Sequence, residues 1–208
     1  MYCTIGKRKN KQFCVKEIKK VVLSVNLLKN YQDRVEIWMS HMIGAARAVS
    51  DVLMYQPDFV GIDFSVNDDP TDFFKETYEG VLRKVLTWTS EPAVVLLNNV
   101  YYDTGINAQE QHVAVGDWYH VTHVSIKDTL YQEMKAGVYT REELTPDGLH
   151  PNDKGHGLVA AEIIKFLEKV KKEAKEGIKE DAKTDFPVPL TGNAYEHAQR
   201  QRRKHHSI

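Results

Sequence analysis

The sequence predicts an α/β domain, with a mostly parallel sheet packed between two layers of helices. Three observations carry that expectation. Short apolar runs alternate with segments whose apolar residues recur every three or four positions. One run, Ala93-Val94-Val95-Leu96-Leu97, is apolar on both faces, as a parallel strand covered by helices on each side must be. Hydrophobic residues make up 42% and charged residues 27% of the 208 positions, the composition of an ordinary globular chain.

Five strands are expected: Val21-Val22-Leu23-Ser24-Val25, Val35-Glu36-Ile37-Trp38-Met39, Phe59 to Phe64, 93–97, and Val121 to Ile126. The strongest helix spans 71–89. There Phe73, Phe74, Tyr78, Val81, Leu82, Val85 and Leu86 share one face, and Thr71 or Asp69 stands near the start. Shorter helices are expected over 42–55 and 127–136, and another over 107–118 that Gly116 interrupts. A final helix begins near Pro151, whose missing N–H would be unpaired there anyway, and carries Leu158, Val159, Ile163, Ile164, Phe166, Leu167 and Val170. Beyond Val170, residues 171–183 are nearly all charge and alanine, Pro187-Val188-Pro189 breaks any helix, and 199–206 is basic and polar. The chain therefore divides into a polar N-terminal segment (1–15), an α/β domain (16–172), and a charged helix extension and tail (173–208) that could begin a further domain.

Composition narrows the function classes. A net charge of -1 gives no case for a nucleic-acid partner. No apolar run approaches the roughly 20 residues that span a bilayer, so no membrane partner is expected. Met1 to Lys20 has no apolar stretch behind its basic residues, which argues against a signal peptide and for a cytoplasmic location. Cys3 and Cys14 cannot build a disulfide framework, and no Cys-x-x-Cys unit is present. His120 and His123 flank a strand, point to opposite faces and lack a third ligand, so no metal is expected. His112 and His156 read either as helix-surface residues or as residues that support a site from behind. Without a glycine-rich phosphate loop, a nucleotide-binding module is disfavoured and no cofactor is expected.

Two stretches carry chemistry. In Asp147-Gly148-Leu149-His150, an Asp three residues before a His, in a loop that feeds a helix, can hold and orient an imidazole for proton transfer. In Ser65-Val66-Asn67-Asp68, an Asn just past a buried strand can present its amide to a developing oxyanion. The carboxyl edge of a parallel sheet is where ligands bind, and both stretches, together with Tyr101-Tyr102-Asp103, are expected to reach it. Each has a plainer reading: 146–150 as a Pro-Asp-Gly turn, and Asn67 as a cap or loop closure before the helix near Thr71. Asp63 reads as a buried, hydrogen-bonded carboxylate. Tyr101, Tyr102, Trp118 and Tyr119 could line a crevice for a sugar or acyl group, or more plainly be partly buried aromatics.

Taken in order, Ser65-Val66-Asn67-Asp68 and Asp147 to His150 with the following Pro151-Asn152-Asp153-Lys154-Gly155-His156 resemble the later blocks of the SGNH, or GDSL-type, hydrolase family. The likeness covers roughly 41–172. It implies a three-layer α/β/α sandwich of flavodoxin-like type around a five-stranded sheet, and a carbohydrate or small-molecule ester as substrate, most plausibly an O-acetyl or other O-acyl group. His150 would be the general base, Asp147 its orienting partner and Asn67 an oxyanion donor. The family's first block supplies the nucleophile in an Asp-Ser pair, and this sequence has none. Trp38-Met39-Ser40-His41 stands where the second block is expected. Seven serines are present, and none is assigned as the nucleophile; Ser24 ends the first strand, but between Leu23 and Val25 it reads as a strand serine. The alternative is a catalytically impaired or truncated remnant with a binding role or no activity of its own.

Overall fold

The computed structural model describes residues 21–24, 41–175 and 185–199. Their order is β1 (Val21–Ser24), α1 (His41–Asp51), a single 3-10 turn (Leu53–Tyr55), β2 (Phe59–Asp63), α2 (Asp72–Leu86), β3 (Ala93–Asn98), α3 (Gln109–Trp118), β4 (Thr122–Ser125), α4 (Leu130–Lys135), α5 (Arg141–Leu144) and α6 (Asp153–Lys175). The strands form one parallel sheet in the order β1-β2-β3-β4, with Val22 opposite Val60, Gly61 opposite Val95, and Leu97 opposite Val124. The α/β class is as expected. Among the described residues the sheet has four strands rather than five, because the strand expected at 35–39 lies outside them.

Period-two alternation sorts the strand side chains between two cores. Val60, Ile62 and Leu96 pack with Ala45 of α1, Tyr78, Val81 and Leu82 of α2, and Val115 of α3. Phe59, Val95, Leu97 and Val124 face the other way, against Leu130 of α4, Leu144 of α5 and Val159 of α6. A sheet apolar on both faces thus lies between two helical layers, which is why β3 reads as an unbroken apolar run.

Local chemistry sets the helix ends. Thr71 caps α2 by accepting from the Phe74 N–H at 3.4 Å, and Thr87 closes it. α6 begins two residues after Pro151, because Asn152 Oδ1 accepts the Gly155 N–H at 2.9 Å and takes the capping role. α3 runs straight through Gly116. A side chain there would meet the His123 ring at 2.1 Å, so the glycine lets the helix settle onto β4. The short α5 was not expected. It is one turn held by a Thr140–Glu143 capping box, too brief to register as a period.

Residues 185–199 return to the first core, where Phe186, Leu190, Tyr195 and Ala198 pack. Fully buried Glu79 of α2 receives them: its carboxyl accepts from the Leu190 N–H at 2.6 Å, from the Thr191 N–H at 2.8 Å, and from the Thr191 and Tyr119 hydroxyls. Arg83 adds an ion pair to Glu196 at 2.9 Å and a bond to the Pro187 carbonyl. Lys84 ties the Ala45 carbonyl of α1 to that of Ala198. No described helix is long and apolar enough to cross a membrane.

Candidate functional site

The parallel strands end together, and the loops that leave them are laced to one another. Past β3, the Asn99 carbonyl accepts from the Ser65 hydroxyl at 2.9 Å and from Asn107 Nδ2 at 2.7 Å. Its side-chain Nδ2 donates to Asp63 Oδ2 at 2.6 Å. Three residues on, the Tyr102 N–H donates to the Gly148 carbonyl at 2.7 Å. The segment after β3 therefore holds the Ser65–Asp68 turn and the 145–150 loop at one edge of the sheet.

Within the 145–150 loop, His150 Nδ1 lies 2.7 Å from Asp147 Oδ2. Asp147 Oδ1 accepts the backbone N–H groups of Leu149 at 2.9 Å and His150 at 2.8 Å. The imidazole bond, followed by those two N–H groups, holds the Asp147 carboxyl well below the usual carboxylate range. Gly148 sits at φ +83, and a Cβ there would fall 2.0 Å from Asp103 Oδ2, so both its conformation and its neighbour require glycine. Asp103 is in turn bound by Arg141 of α5, with Nε to Oδ1 at 2.8 Å. The His150 side chain is 69% exposed, and its ring makes no other hydrogen bond among the described residues. A carboxylate on Nδ1 fixes the ring and leaves its far side open to solvent, where a nitrogen can accept or give a proton.

Asn67 is exposed, four residues beyond the end of β2. Its N–H closes a turn onto the Phe64 carbonyl at 2.9 Å, while Thr71 supplies the helix cap. Asp68 points inward, 3.0 Å from His112 Nε2, and the His112 ring stacks on Tyr78 at 3.7 Å. His112 is wholly buried, which overturns the helix-surface alternative and leaves the one that puts it behind the Ser65–Asp68 turn. Its sequence signal was the apolar neighbour Val113 together with Val115 on a helix otherwise polar in its first turn, too little to reveal burial. His156 is exposed, and His120 stands on the turn before β4 at φ +54. His123 bonds Asn98 Nδ2 at 3.3 Å, and burial lowers it to about 4. Asp63 is half-buried and accepts the Asn99 bond, and loss of solvent raises its pKa to about 7.

Asn67 and Asp63 also line a cavity with Gly44, Arg47 and Phe64; neither Asp147 nor His150 borders it. The two candidate stretches thus share an edge of the sheet, but this cavity joins only one of them. Of the aromatics expected near a crevice, Tyr101 is half-buried and Tyr102 is buried beside Gly148. Trp118 and Tyr119 serve the C-terminal segment instead, through the Val188 carbonyl and Glu79. The hydroxyls of Ser50, Ser65, Ser90 and Ser125 are all engaged within the fold, by Asp51, Asn99, Pro57 and Gln109 respectively. No group of three or more His, Cys, Asp or Glu residues suited to a metal occurs among the described residues.

No protein-family model matches the chain. No curated protein matches it either. Similar solved structures exist. One is a two-domain esterase active on acetylated mannans, co-crystallised with mannopentaose; it is 48% identical, with a TM-score of 0.71, over 77% of this chain and 41% of that one. A second structure described as a two-domain esterase active on acetylated mannans is 49% identical, with a TM-score of 0.72, over 76% of this chain and 42% of that one. The chain spans about two-fifths of the length of these esterases.

Proposed function

We propose that this chain is the hydrolase part of a carbohydrate esterase that removes acetyl groups from mannan-type glycans by a serine mechanism of the SGNH type. The observation that carries the reading is the Asp147–His150 pair, 2.7 Å apart on a loop fixed at the carboxyl edge of the sheet. The likeness to esterases active on acetylated mannans supports the substrate class. In this mechanism a hydroxyl attacks the acetyl carbonyl, and His150 Nε2 takes its proton. Asp147 stabilises the imidazolium, and Asn67 donates to the oxyanion. His150 then returns the proton to the departing sugar oxygen, and the acyl-enzyme is hydrolysed by a water that His150 activates in the same way.

One observation favours a second reading, a remnant that no longer turns over: the sequence contains no Asp-Ser pair to supply the nucleophile. A fluorophosphonate probe separates the two. The esterase reading expects one serine of the folded 208-residue chain to be labelled, with acetate released from acetylated manno-oligosaccharides. Folded protein that takes no label and releases no acetate would establish the remnant.

A further inference from the structure

The Asp147–His150 pair is exposed, yet its geometry is set from beneath by a residue that none of the preceding chemistry uses. Thr145 is completely buried at the foot of the loop. Its own N–H is bonded to the Arg141 carbonyl of α5 at 3.0 Å, and the neighbouring Leu144 carbonyl accepts the Asn152 N–H at 2.9 Å, so the loop leaves and rejoins the fold at a fixed neck. Within that neck the Thr145 hydroxyl accepts two backbone N–H groups, from Asp147 at 3.3 Å and Gly148 at 3.0 Å. A hydroxyl has two acceptor lone pairs and one proton. With both lone pairs engaged, the proton has one remaining direction, toward Asp147 Oδ1 at 3.2 Å.

Asp147 Oδ1 is then held by three donors: the Thr145 hydroxyl and the N–H groups of Leu149 and His150. The carboxyl plane is fixed, and Oδ2 is left for the imidazole. Orientation matters because a base must offer an unprotonated Nε2, which in the neutral ring requires the proton on Nδ1. We infer that Thr145 is a positioning residue, whose hydroxyl fixes the Asp147 carboxylate so that His150 is held with its proton on Nδ1. Without that hydroxyl, the Asp147 and Gly148 N–H groups lose their acceptor and Oδ1 loses a donor. The carboxylate is then free to turn, and Oδ2 no longer tracks Nδ1.

The kinetic consequence rests on the esterase reading, but the positioning itself does not, and the test keeps them apart. In the full chain labelled with ¹⁵N-histidine, the ring shifts of His150, assigned by their loss in His150→Ala, report the Nδ1–H to Nε2–H ratio of the neutral ring at alkaline pH. Thr145→Val is expected to lower that ratio at least threefold, and Thr145→Ser, which keeps the hydroxyl, to restore it. Where the chain releases acetate, Thr145→Val is expected to reduce kcat about tenfold with KM within twofold. A folded Thr145→Val with an unchanged ratio overturns the assignment. Should Thr145→Val not fold, the ratio is read in Thr145→Ala; if neither folds, Thr145 is a structural residue and the assignment is equally overturned. A wild-type chain that holds the Nδ1–H form but releases no acetate contradicts the esterase reading and leaves the positioning role standing.

Discussion

Two carboxylates in this molecule each gather four hydrogen-bond donors, and they serve opposite ends. Glu79 is sealed in the core, and all its donors are fixed parts of the fold: two backbone N–H groups, a threonine hydroxyl and a tyrosine hydroxyl. Asp147 lies at the surface, where all four contacts come from its own loop and one of them is an imidazole with a free side. The first arrangement leaves nothing over and stabilises the packing of residues 185–199. The second leaves a ring nitrogen facing solvent. A satisfied polar cluster is structural, whereas one that ends on an open, titratable atom is poised for chemistry.

That contrast can be broken by substitution. Glu79→Ala strands several buried donors at once and is expected to cost about 3–5 kcal/mol of stability, read from urea unfolding. A loss below about 1 kcal/mol would mean that the C-terminal segment is not held as described. Gly148→Ala is expected to cost about 2–4 kcal/mol, combining a left-handed backbone with crowding against Asp103. Adding Asp103→Ala sharpens this prediction: the double variant should recover the crowding part and retain only the backbone part, about 1–2 kcal/mol.

How far the sequence revealed these two regions differs in an instructive way. The Asp147 site is local: four consecutive residues contain the carboxylate, the glycine and the imidazole, so their pairing was readable from spacing. The Glu79 network was invisible because its partners lie far along the chain, Tyr119 40 positions on and Leu190 and Thr191 more than 100, and a glutamate on a helix otherwise reads as a solvated face. His112 was misplaced for the same reason, its partner Asp68 lying 44 residues upstream. The strand runs at 59–64 and 93–97 were legible because burial on both faces leaves a composition signal. α5 left none, being a single turn made by its capping box.

Smaller effects test the electrostatics at the sheet edge. Burial raises Asp63 from 3.8 to about 7, so the folded state keeps its proton over a range in which the unfolded chain has lost it. Stability therefore falls as pH rises from about 4 to about 7 and levels off above that. Asp63→Asn should abolish that part of the slope: the difference in urea midpoint between variant and parent should be larger at pH 8 than at pH 5. Equal differences at both values would contradict the burial argument. Arg141→Ala, which removes the solvent-screened partner of Asp103, is expected to leave the urea midpoint almost unchanged. A clearly lower midpoint would show that this pair anchors the loop more firmly than its exposure allows.

The most direct measurement pairs activity with stability for His150→Ala, assayed by acetate release from acetylated manno-oligosaccharides and by urea unfolding. If the imidazole serves chemistry and not packing, turnover falls about 10³–10⁴-fold while stability moves by less than about 0.5 kcal/mol. Equal turnover by the parent chain and the variant would contradict the account.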